Sequence, residues 1–115
     1  MSKLIKNKLF SMLGFAQRAG NLISGEQGVE TAIRRGKVHL VLVAKDCSKN
    51  TKTKFTSLAK GYSIALREFA TMNELGLAIG KSRRAVIGVM DRGFARTLKD
   101  LIASMDEIKG EKLQE

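Results

Sequence analysis

The sequence has no tryptophan and no proline, and it has a single cysteine and a single histidine among 115 residues. Aromatic residues make up only 5% of the chain, so a core must be built from Leu, Ile, Val, Ala and Met. The lone cysteine, Cys47, excludes an internal disulfide and is typical of a reducing compartment. Cys47 and His39 are too few ligands for a Cys/His zinc site. We therefore expect no metal and no cofactor.

Long apolar runs are also missing. The first ten residues, MSKLIKNKLF, mix charged with apolar side chains and lack the apolar region of a signal peptide. No segment approaches the roughly 20 apolar residues that a membrane-spanning helix needs. These features predict a soluble, cytoplasmic protein with no membrane partner.

Acidic residues are scarce beside basic ones. The chain has 21 Lys and Arg against 11 Asp and Glu, a formal net charge of +10. Such an excess predicts attraction to polyanions, with nucleic acid first and an anionic membrane surface second. The length suits one domain, which we expect over residues 1–108, followed by a polar, frayed C-terminal tail at 109–115.

The apolar residues alternate between helical and strand periodicity along the chain. Five segments with helical spacing are separated by four apolar stretches typical of buried strands, at residues 22–23, 40–44, 64–69 and 85–90. Capping boxes are predicted at Ser24/Gln27 and Thr71/Glu74, and Asp91 is predicted to cap the last helix. Strict alternation of helices and buried strands predicts an α/β fold with one sheet covered by helices on both faces.

No catalytic constellation emerges from the sequence. The stretch Gly76–Ser82 resembles a phosphate-binding P-loop, but it has three residues between its glycines where the motif needs four. It also leads from a helix into a strand, the reverse of the P-loop order. His39 is expected at a strand edge and Cys47 as an inert thiol, and no paired carboxylates are apparent. We therefore expect no enzyme.

A basic segment with glycines, residues 25–37, is the first candidate binding site. On a helix, Gln27, Thr31 and Arg34 share one face, and Gly28 would allow close approach of an RNA backbone. The helix N-terminus offers N–H groups to phosphates or base acceptors. Taken alone, this segment is more simply interpreted as a solvated helix face with an ordinary cap.

A loop before the last strand, residues 80–84, is the second candidate. It carries three cations in four residues, Lys81, Arg83 and Arg84, and Arg binds phosphate bidentately. A solubilising loop is the alternative interpretation. A further group of lysines from Lys45 to Lys54 is interpreted as an electrostatic extension.

Five segments together resemble the L7Ae/L30e family of ribosomal and kink-turn RNA-binding proteins, most closely its small bacterial YlxQ-like branch. They are residues 24–25, 32–37, 40–46, 75–83 and 86–91, and the similarity spans roughly residues 4 to 103. The resemblance implies a three-layer α/β/α sandwich around a four-stranded mixed sheet. It also implies RNA binding by the start of the second helix together with the loop before the last strand.

The helix start departs from the family's Gly-x-Asn-Glu pattern, which is followed by a Lys. Here the corresponding positions are Gln27, Gly28 and Thr31; Gln27 keeps a donor and an acceptor, whereas Gly28 has no side chain and Thr31 no charge. Backbone N–H groups and Arg34 would compensate, or the RNA target would differ. The candidate RNA-binding residues are Gly25, Gln27, Gly28, Thr31, Arg34, Arg35, Lys45, Gly80, Lys81, Ser82, Arg83, Arg84 and Ala85.

These observations predict non-catalytic binding of structured RNA, with a kink-turn-like internal loop as the expected target. The resemblance points to a ribosomal or ribosome-associated setting, and the net charge favours a monomer. Two alternatives stay open. One is a protein-interaction module of the translation or ribosome-assembly machinery without RNA contact. The other is an RNA-modifying enzyme, because related sandwiches occur as accessory domains beside methyltransferases, although the chain shows no cofactor fingerprint.

Overall fold

The computed structural model describes the backbone of residues 2–114 and the side chains of residues 3–107. Helices and strands alternate along this part of the chain. The elements are α1 (Ser2–Arg18), β1 (Leu22–Ser24), α2 (Glu26–Arg34), β2 (Leu40–Val43), α3 (Lys49–Gly61), β3 (Ala65–Glu68), α4 (Met72–Ala78), β4 (Val86–Val89) and α5 (Arg92–Gln114).

The four strands form one mixed sheet in the order β1-β4-β2-β3. β4 pairs antiparallel with both β1 and β2, and β3 pairs parallel with β2. In this register Leu40 lies opposite Val89 on one side and Ala65 on the other. The predicted four-stranded mixed sheet is confirmed.

Side-chain alternation in the central strand β2 divides the core into two layers. Leu40 and Leu42 pack with α1, α4 and α5 on one face of the sheet. Val41 and Val43 pack with α2 and α3 on the other face. Because all four side chains are fully buried, β2 is the continuous apolar strand that a sheet covered on both faces requires. The predicted three-layer α/β/α sandwich is confirmed.

Two of the three predicted helix caps are present. The Thr71 hydroxyl accepts from the backbone N–H of Glu74 at 3.1 Å, and the Glu74 carboxylate accepts from the N–H of Thr71 at 3.0 Å, which is a complete capping box. The Asp91 carboxylate accepts from the N–H of Phe94 at 2.8 Å. The starts of α4 and α5 are thus as the sequence predicts.

The capping box predicted at Ser24 and Gln27 is wrong. The N-cap of α2 is Gly25, with φ 90° and ψ 150° and no side-chain cap hydrogen bond. Moving the N-cap from Ser24 to Gly25 shifts Gln27 to the second helical position and leaves Gly28, which has no side chain, at the third. Ser24 stays in β1, opposite Ile87.

The predicted domain limit at residue 108 and the tail at 109–115 lie beyond the side chains that the structure describes, and they stay predictions. Within the described residues, no helix combines the length and apolar character needed to cross a membrane. The same residues include no group of three or more His, Cys, Asp or Glu side chains arranged to hold a metal ion.

Candidate nucleic-acid interface

One edge of the sheet brings the two candidate segments together. Because β4 is antiparallel to β1 and β2, its start lies beside the ends of both strands. The N–H of Gly25 donates to the carbonyl of Val86 at 3.1 Å, and the N–H of Ala44 donates to the carbonyl of Ala85 at 2.9 Å. The start of α2, Lys45 and the loop of residues 80–85 before β4, called the 80–85 loop below, therefore emerge at the same edge.

Arg84 connects the loop to the start of α2. Its Nε donates to the Ser24 hydroxyl at 3.1 Å, and its Nη1 donates to the Ser82 hydroxyl at 2.8 Å and to the Arg83 carbonyl at 3.1 Å. Its backbone N–H donates to the carbonyl of Met72 at 3.1 Å. The half-buried Arg84 side chain thus holds the loop in position. The sequence instead predicts that this side chain contacts a phosphate.

The loop is seated on α4 at Gly76. A Cβ at Gly76 would lie 2.6 Å from the carbonyl carbon of Ser82 and would overlap its oxygen, so only glycine allows this approach. The N–H of Lys81 donates to the Gly76 carbonyl at 2.8 Å, and Gly80 has φ 71°, a conformation that glycine adopts readily. The two glycines of the P-loop-like stretch therefore shape this loop.

The remaining loop residues present their side chains to solvent. Lys81, Ser82 and Arg83 are exposed, whereas Ala85 is partly buried. Whereas Arg84 is occupied by its contacts within the protein, Lys81 and Arg83 are the loop cations that are exposed to solvent.

The start of α2 keeps its backbone donors open. No described side chain caps this helix, and its first intrahelical bond runs from the N–H of Val29 to the carbonyl of Gly25 at 3.0 Å. The N–H groups that precede Val29 in α2 have no partner within the helix. They lie at the positive end of the helix dipole, where anions and base acceptors are favoured.

Glu26 carries a negative charge at this helix start. Its Oε2 accepts from the hydroxyl of Thr51 at 3.1 Å, and that hydroxyl oxygen in turn accepts from the Ser48 hydroxyl at 2.9 Å. The Glu26 carboxylate is thereby directed toward α3, and its repulsion of a phosphate at the helix start is reduced.

A shallow groove of about 500 Å³ runs along α2 beside the edge strand β1; we call it the α2 groove. Gln27 and Thr31 line it and are exposed, and Arg35 supplies a cation farther along the helix. Its wall includes Ile23, Gln27, Gly28, Thr31, Arg35 and Lys37. The groove combines polar side chains near the helix start with cations near the helix end.

Arg34 does not line the α2 groove. Its guanidinium donates to the Glu30 carboxylate at 2.9 Å, and Lys54 of α3 reaches the other oxygen of Glu30 at 2.8 Å. The pKa of Glu30 is lowered, mainly by the hydrogen bond from Lys54 and secondly by the one from Arg34. The hydrogen bond to Glu30 in turn raises the pKa of Arg34. The sequence predicts one helix face with Gln27, Thr31 and Arg34. In the structure, Arg35 takes the place of Arg34 beside Gln27 and Thr31 in the α2 groove.

Gly28 has a packing reason to be glycine. A Cβ there would lie 3.1 and 3.2 Å from the Cγ1 and Cδ1 atoms of Ile23. This is tighter than ordinary van der Waals contact, so Gly28 lets α2 approach β1 closely. Ile23 would have to move for any larger residue.

Lys45 lies at the same edge of the sheet, but it faces the layer formed by α1, α4 and α5. It lines a pocket with residues of α1 and α4, among them Lys6 and Glu74. The Lys6 ammonium is 3.0 Å from the Glu74 carboxylate, and this hydrogen bond is the main cause that lowers the pKa of Glu74. Lys45 therefore contributes positive charge beside the loop, away from the α2 groove.

Sequence reasoning missed Ser24 as a site residue, and it missed Lys37 and Ile23 in the groove wall. Lys37 stands in the basic segment, so its charge offered a signal. The contact between Ser24 and Arg84 joins residues 60 positions apart, and no local pattern reports it.

Residues 7–99 match the model of the ribosomal protein L7Ae/L30e/S12e/Gadd45 family. The chain is similar to the RNA-binding protein YlxQ of Enterococcus faecium, with 39% identity over 97 residues that cover 84% of this chain and 93% of that protein. The RNA-binding protein YlxQ of Bacillus subtilis is 39% identical over 93 residues, 81% of this chain and 93% of that protein. The large ribosomal subunit protein eL30 of Tetrahymena thermophila is 29% identical over 101 residues, covering 86% of this chain and 97% of that protein.

Two solved structures share the fold. A protein of unknown function from Bacillus halodurans superposes with a TM-score of 0.81 and 42% identity, covering 84% of this chain and 97% of that one. The Giardia lamblia 15.5kD RNA binding protein superposes with a TM-score of 0.72 at 14% identity, covering 90% of this chain and 88% of that one. The latter similarity concerns the fold alone.

Proposed function

This chain belongs to the ribosomal protein L7Ae/L30e/S12e/Gadd45 family, and we propose that it binds structured RNA without catalysing a reaction on it. The observation that carries the proposal is the bridge from Arg84 to Ser24. It joins the start of α2 and the 80–85 loop, two segments far apart in sequence, into one surface. That surface carries open backbone donors and a net positive charge.

The proposed mode of binding follows from the groups at this edge. An undistorted A-form helix hides its bases in a deep, narrow groove, so a protein of this kind reads RNA at kinks, loops and unpaired sites. The α2 N–H groups and Gln27 would meet base edges or a phosphate. Lys81 and Arg83 would meet phosphates, and Arg35 and Lys37 would hold the strand that continues along the α2 groove.

A kink-turn-like internal loop is the proposed target, and a ribosomal or ribosome-associated, cytoplasmic monomer is the proposed setting. The names of the relatives, RNA-binding and ribosomal, support an RNA ligand and a ribosomal setting, and the kink-turn target follows from the family resemblance. Gly28 and Thr31 offer no charged side chain to base edges. Recognition would therefore rest on Gln27, on backbone N–H groups and on the shape of the kinked RNA.

A titration against two RNAs tests the proposal. One RNA carries a kink-turn, and the other has its tandem G·A pairs replaced by Watson–Crick pairs, both at about 150 mM salt, where long-range attraction is screened. Tight binding to the first RNA alone supports kink-turn recognition. Equal binding to both keeps RNA binding and removes the kink-turn target. Binding to neither contradicts RNA binding and favours the protein-interaction module.

The substitution Gln27→Ala separates base reading from attraction. We expect it to reduce the preference for the kink-turn over the Watson–Crick control by roughly tenfold, since a good base contact discriminates by about 1–3 kcal/mol. Asn7→Ala removes an exposed amide from α1, in the opposite layer, and should leave the preference unchanged. An unchanged preference in Gln27→Ala would contradict the assigned role of this side chain.

A further inference from the structure

An exposed groove with aromatic side chains in its wall lies between α1 and α4, outside the surface described above. Phe15 is 57% exposed and Leu77 is 79% exposed, which is unusual for two large apolar side chains on neighbouring helices. The groove has a volume of about 360 Å³ and is lined by Phe10, Ser11, Gly14, Phe15, Arg18 and Ala78. Gly14 and Ala78 form its floor, where a Cβ on Gly14 would lie 3.3 Å from the Ala78 carbonyl oxygen.

The guanidinium of Arg18 lies over the ring of Phe15 at this groove. The guanidinium carbon of Arg18 lies 4.8 Å from the centroid of the Phe15 ring, within the range of a cation–π contact. Phe15 as a residue remains more than half exposed, which leaves room for a second planar group beside it. Aromatic rings and guanidinium planes are the surfaces on which unpaired nucleobases stack.

The charge around the groove suits a polyanion. No Asp or Glu occurs in residues 1–25, which carry Lys3, Lys6, Lys8 and Arg18. Among the described residues that line the groove, none has a carboxylate. A phosphate backbone would meet attraction here from Arg18, while the Glu74 carboxylate, one turn before Ala78 on α4, is paired with Lys6.

The groove continues the proposed RNA surface across α4. Gly76 faces the 80–85 loop and Ala78 faces the groove, and these positions lie about 200° apart around a helix of 3.6 residues per turn. The exposed Leu77 stands between them. One helix, roughly 10 Å across, therefore lies between the 80–85 loop and the groove.

We propose that an unpaired nucleotide of the bound RNA, beyond those held by α2 and the loop, crosses Leu77 and stacks its base on Phe15 and Arg18. This inference rests on the proposed function, because it takes the strand to leave from the 80–85 loop. Arg18 keeps the ring oriented and contacts the phosphate beside the stacked base. The surface would thereby favour RNAs with a single-stranded extension next to the structured element.

A fluorescent reporter at position 15 tests the stack directly. The chain has no tryptophan, so Phe15→Trp creates a unique fluorophore whose emission falls when a nucleobase stacks on it. The probes are the kink-turn RNA without a tail and the same RNA with a six-nucleotide adenosine tail at its 5′ or its 3′ end. We expect quenching by at least one tailed RNA, and no quenching by that RNA when its tail is abasic. Tyr62→Trp, an exposed aromatic position at the end of α3, is the control and should respond to neither tail.

Affinity measurements give an independent readout. The tail should strengthen RNA binding to the wild-type chain by roughly tenfold, the gain expected for one stacked base. Phe15→Ala should remove this gain. The same variant should bind the untailed RNA as tightly as the wild type does. Leu4→Ala removes another exposed apolar side chain, from the other end of α1, and should keep the gain. Circular dichroism establishes that each variant is folded.

The outcomes separate this inference from its premise. Binding to the untailed RNA with no quenching and no gain from either tail overturns the stacking site and leaves the proposed function standing. No binding to the untailed RNA removes the premise and overturns both. Tryptophan quenching could also occur without RNA as the protein concentration rises, or on addition of an apolar peptide when neither tail has an effect. Either result would assign the groove to a protein partner and overturn the stacking site.

Discussion

At the scale of single residues, Arg83 and Arg84 are neighbours with different roles. Arg83 is exposed and offers charge, whereas Arg84 is half-buried and joins Ser24 to Ser82 through two different nitrogens of its planar guanidinium. A lysine at position 84 would keep the charge but lose this fork of donors. Charge and geometry can therefore be separated at adjacent positions.

We expect Arg84→Lys to weaken RNA binding almost as much as Arg84→Ala, by roughly tenfold, because the loop would lose its connection to the start of α2. A hydrogen bond involving a charged group contributes about 1.5–3 kcal/mol, so the free energy of unfolding should fall as well. Arg83→Lys should bind RNA nearly as well as the wild type. The measurements are RNA titrations and urea unfolding of the four proteins.

If Arg84→Lys bound RNA like the wild type while Arg83→Lys did not, the two roles would be reversed. A matched hydrogen-exchange measurement at Gly25, whose N–H donates to Val86, gives the structural control. Its protection should fall in Arg84→Lys and stay unchanged in Arg83→Lys.

The limits of sequence reasoning are clearest at this scale. The sequence supports two capping boxes equally well by pattern, but only Thr71 with Glu74 forms one. Ser24 remains in the sheet and accepts from Arg84 instead. The choice depends on a contact between distant segments, so it could not be made from the local pattern. In the same way, helical spacing places Arg34 beside Gln27, but its pairing with Glu30 takes it toward α3.

At the scale of elements, α4 depends on its first turn because it has only seven residues. Glu74 serves this turn twice. Its carboxylate accepts from the N–H of Thr71 at 3.0 Å and lies 3.0 Å from the Lys6 ammonium of α1. The ion pair therefore attaches α4, on which the 80–85 loop is seated, to α1.

We expect Glu74→Gln to lower the free energy of unfolding near pH 7 by about 0.5 kcal/mol, because glutamine keeps the cap but loses a largely solvated ion pair. Lys6 holds the pKa of Glu74 below its ordinary value in the folded state. A lowered folded-state pKa stabilises the fold above the unfolded-state pKa, and this stability is lost as the pH falls through the folded-state pKa. Urea unfolding from pH 7 to pH 3 should therefore bring the two proteins together at the acidic end.

The control for this prediction is Thr71→Ala, which removes the hydroxyl of the cap and no charge. Its cost, about 1 kcal/mol, should change far less with pH than that of Glu74→Gln. A constant difference between wild type and Glu74→Gln over the whole range would contradict the assigned ion pair.

The elements themselves were largely predictable. Apolar periodicity located all five helices and four strands, and the observed strand ends differ from the expected ones by one residue or so, as at Leu40–Val43. The order β1-β4-β2-β3 is a property of pairing between distant segments. Periodicity carries no information on pairing, so the mixed sheet was available only through the family resemblance, which the family match confirms.

At the scale of the whole molecule, the net charge of +10 raises the question of whether RNA meets a diffuse field or particular cations. Both attract RNA at low salt. Only cations that contact phosphates displace condensed counterions, so only these set the slope of log affinity against log salt. The two contributions are therefore separable by removing equal charge from different places.

Two double variants make this comparison, each lowering the net charge from +10 to +8, since each removes two cations. Lys81→Ala with Arg83→Ala removes the exposed loop cations, and Lys60→Ala with Arg92→Ala removes exposed cations from the end of α3 and the start of α5. We expect the loop variant to flatten the salt slope by about two, one for each phosphate that is no longer neutralised. The distant variant should bind slightly more weakly at low salt with its slope unchanged, because α3 ends and α5 starts at the edge of the sheet opposite the loop. Equal slopes in the two variants would mean that the RNA responds to the diffuse field, and the loop would then lose its assigned role in binding.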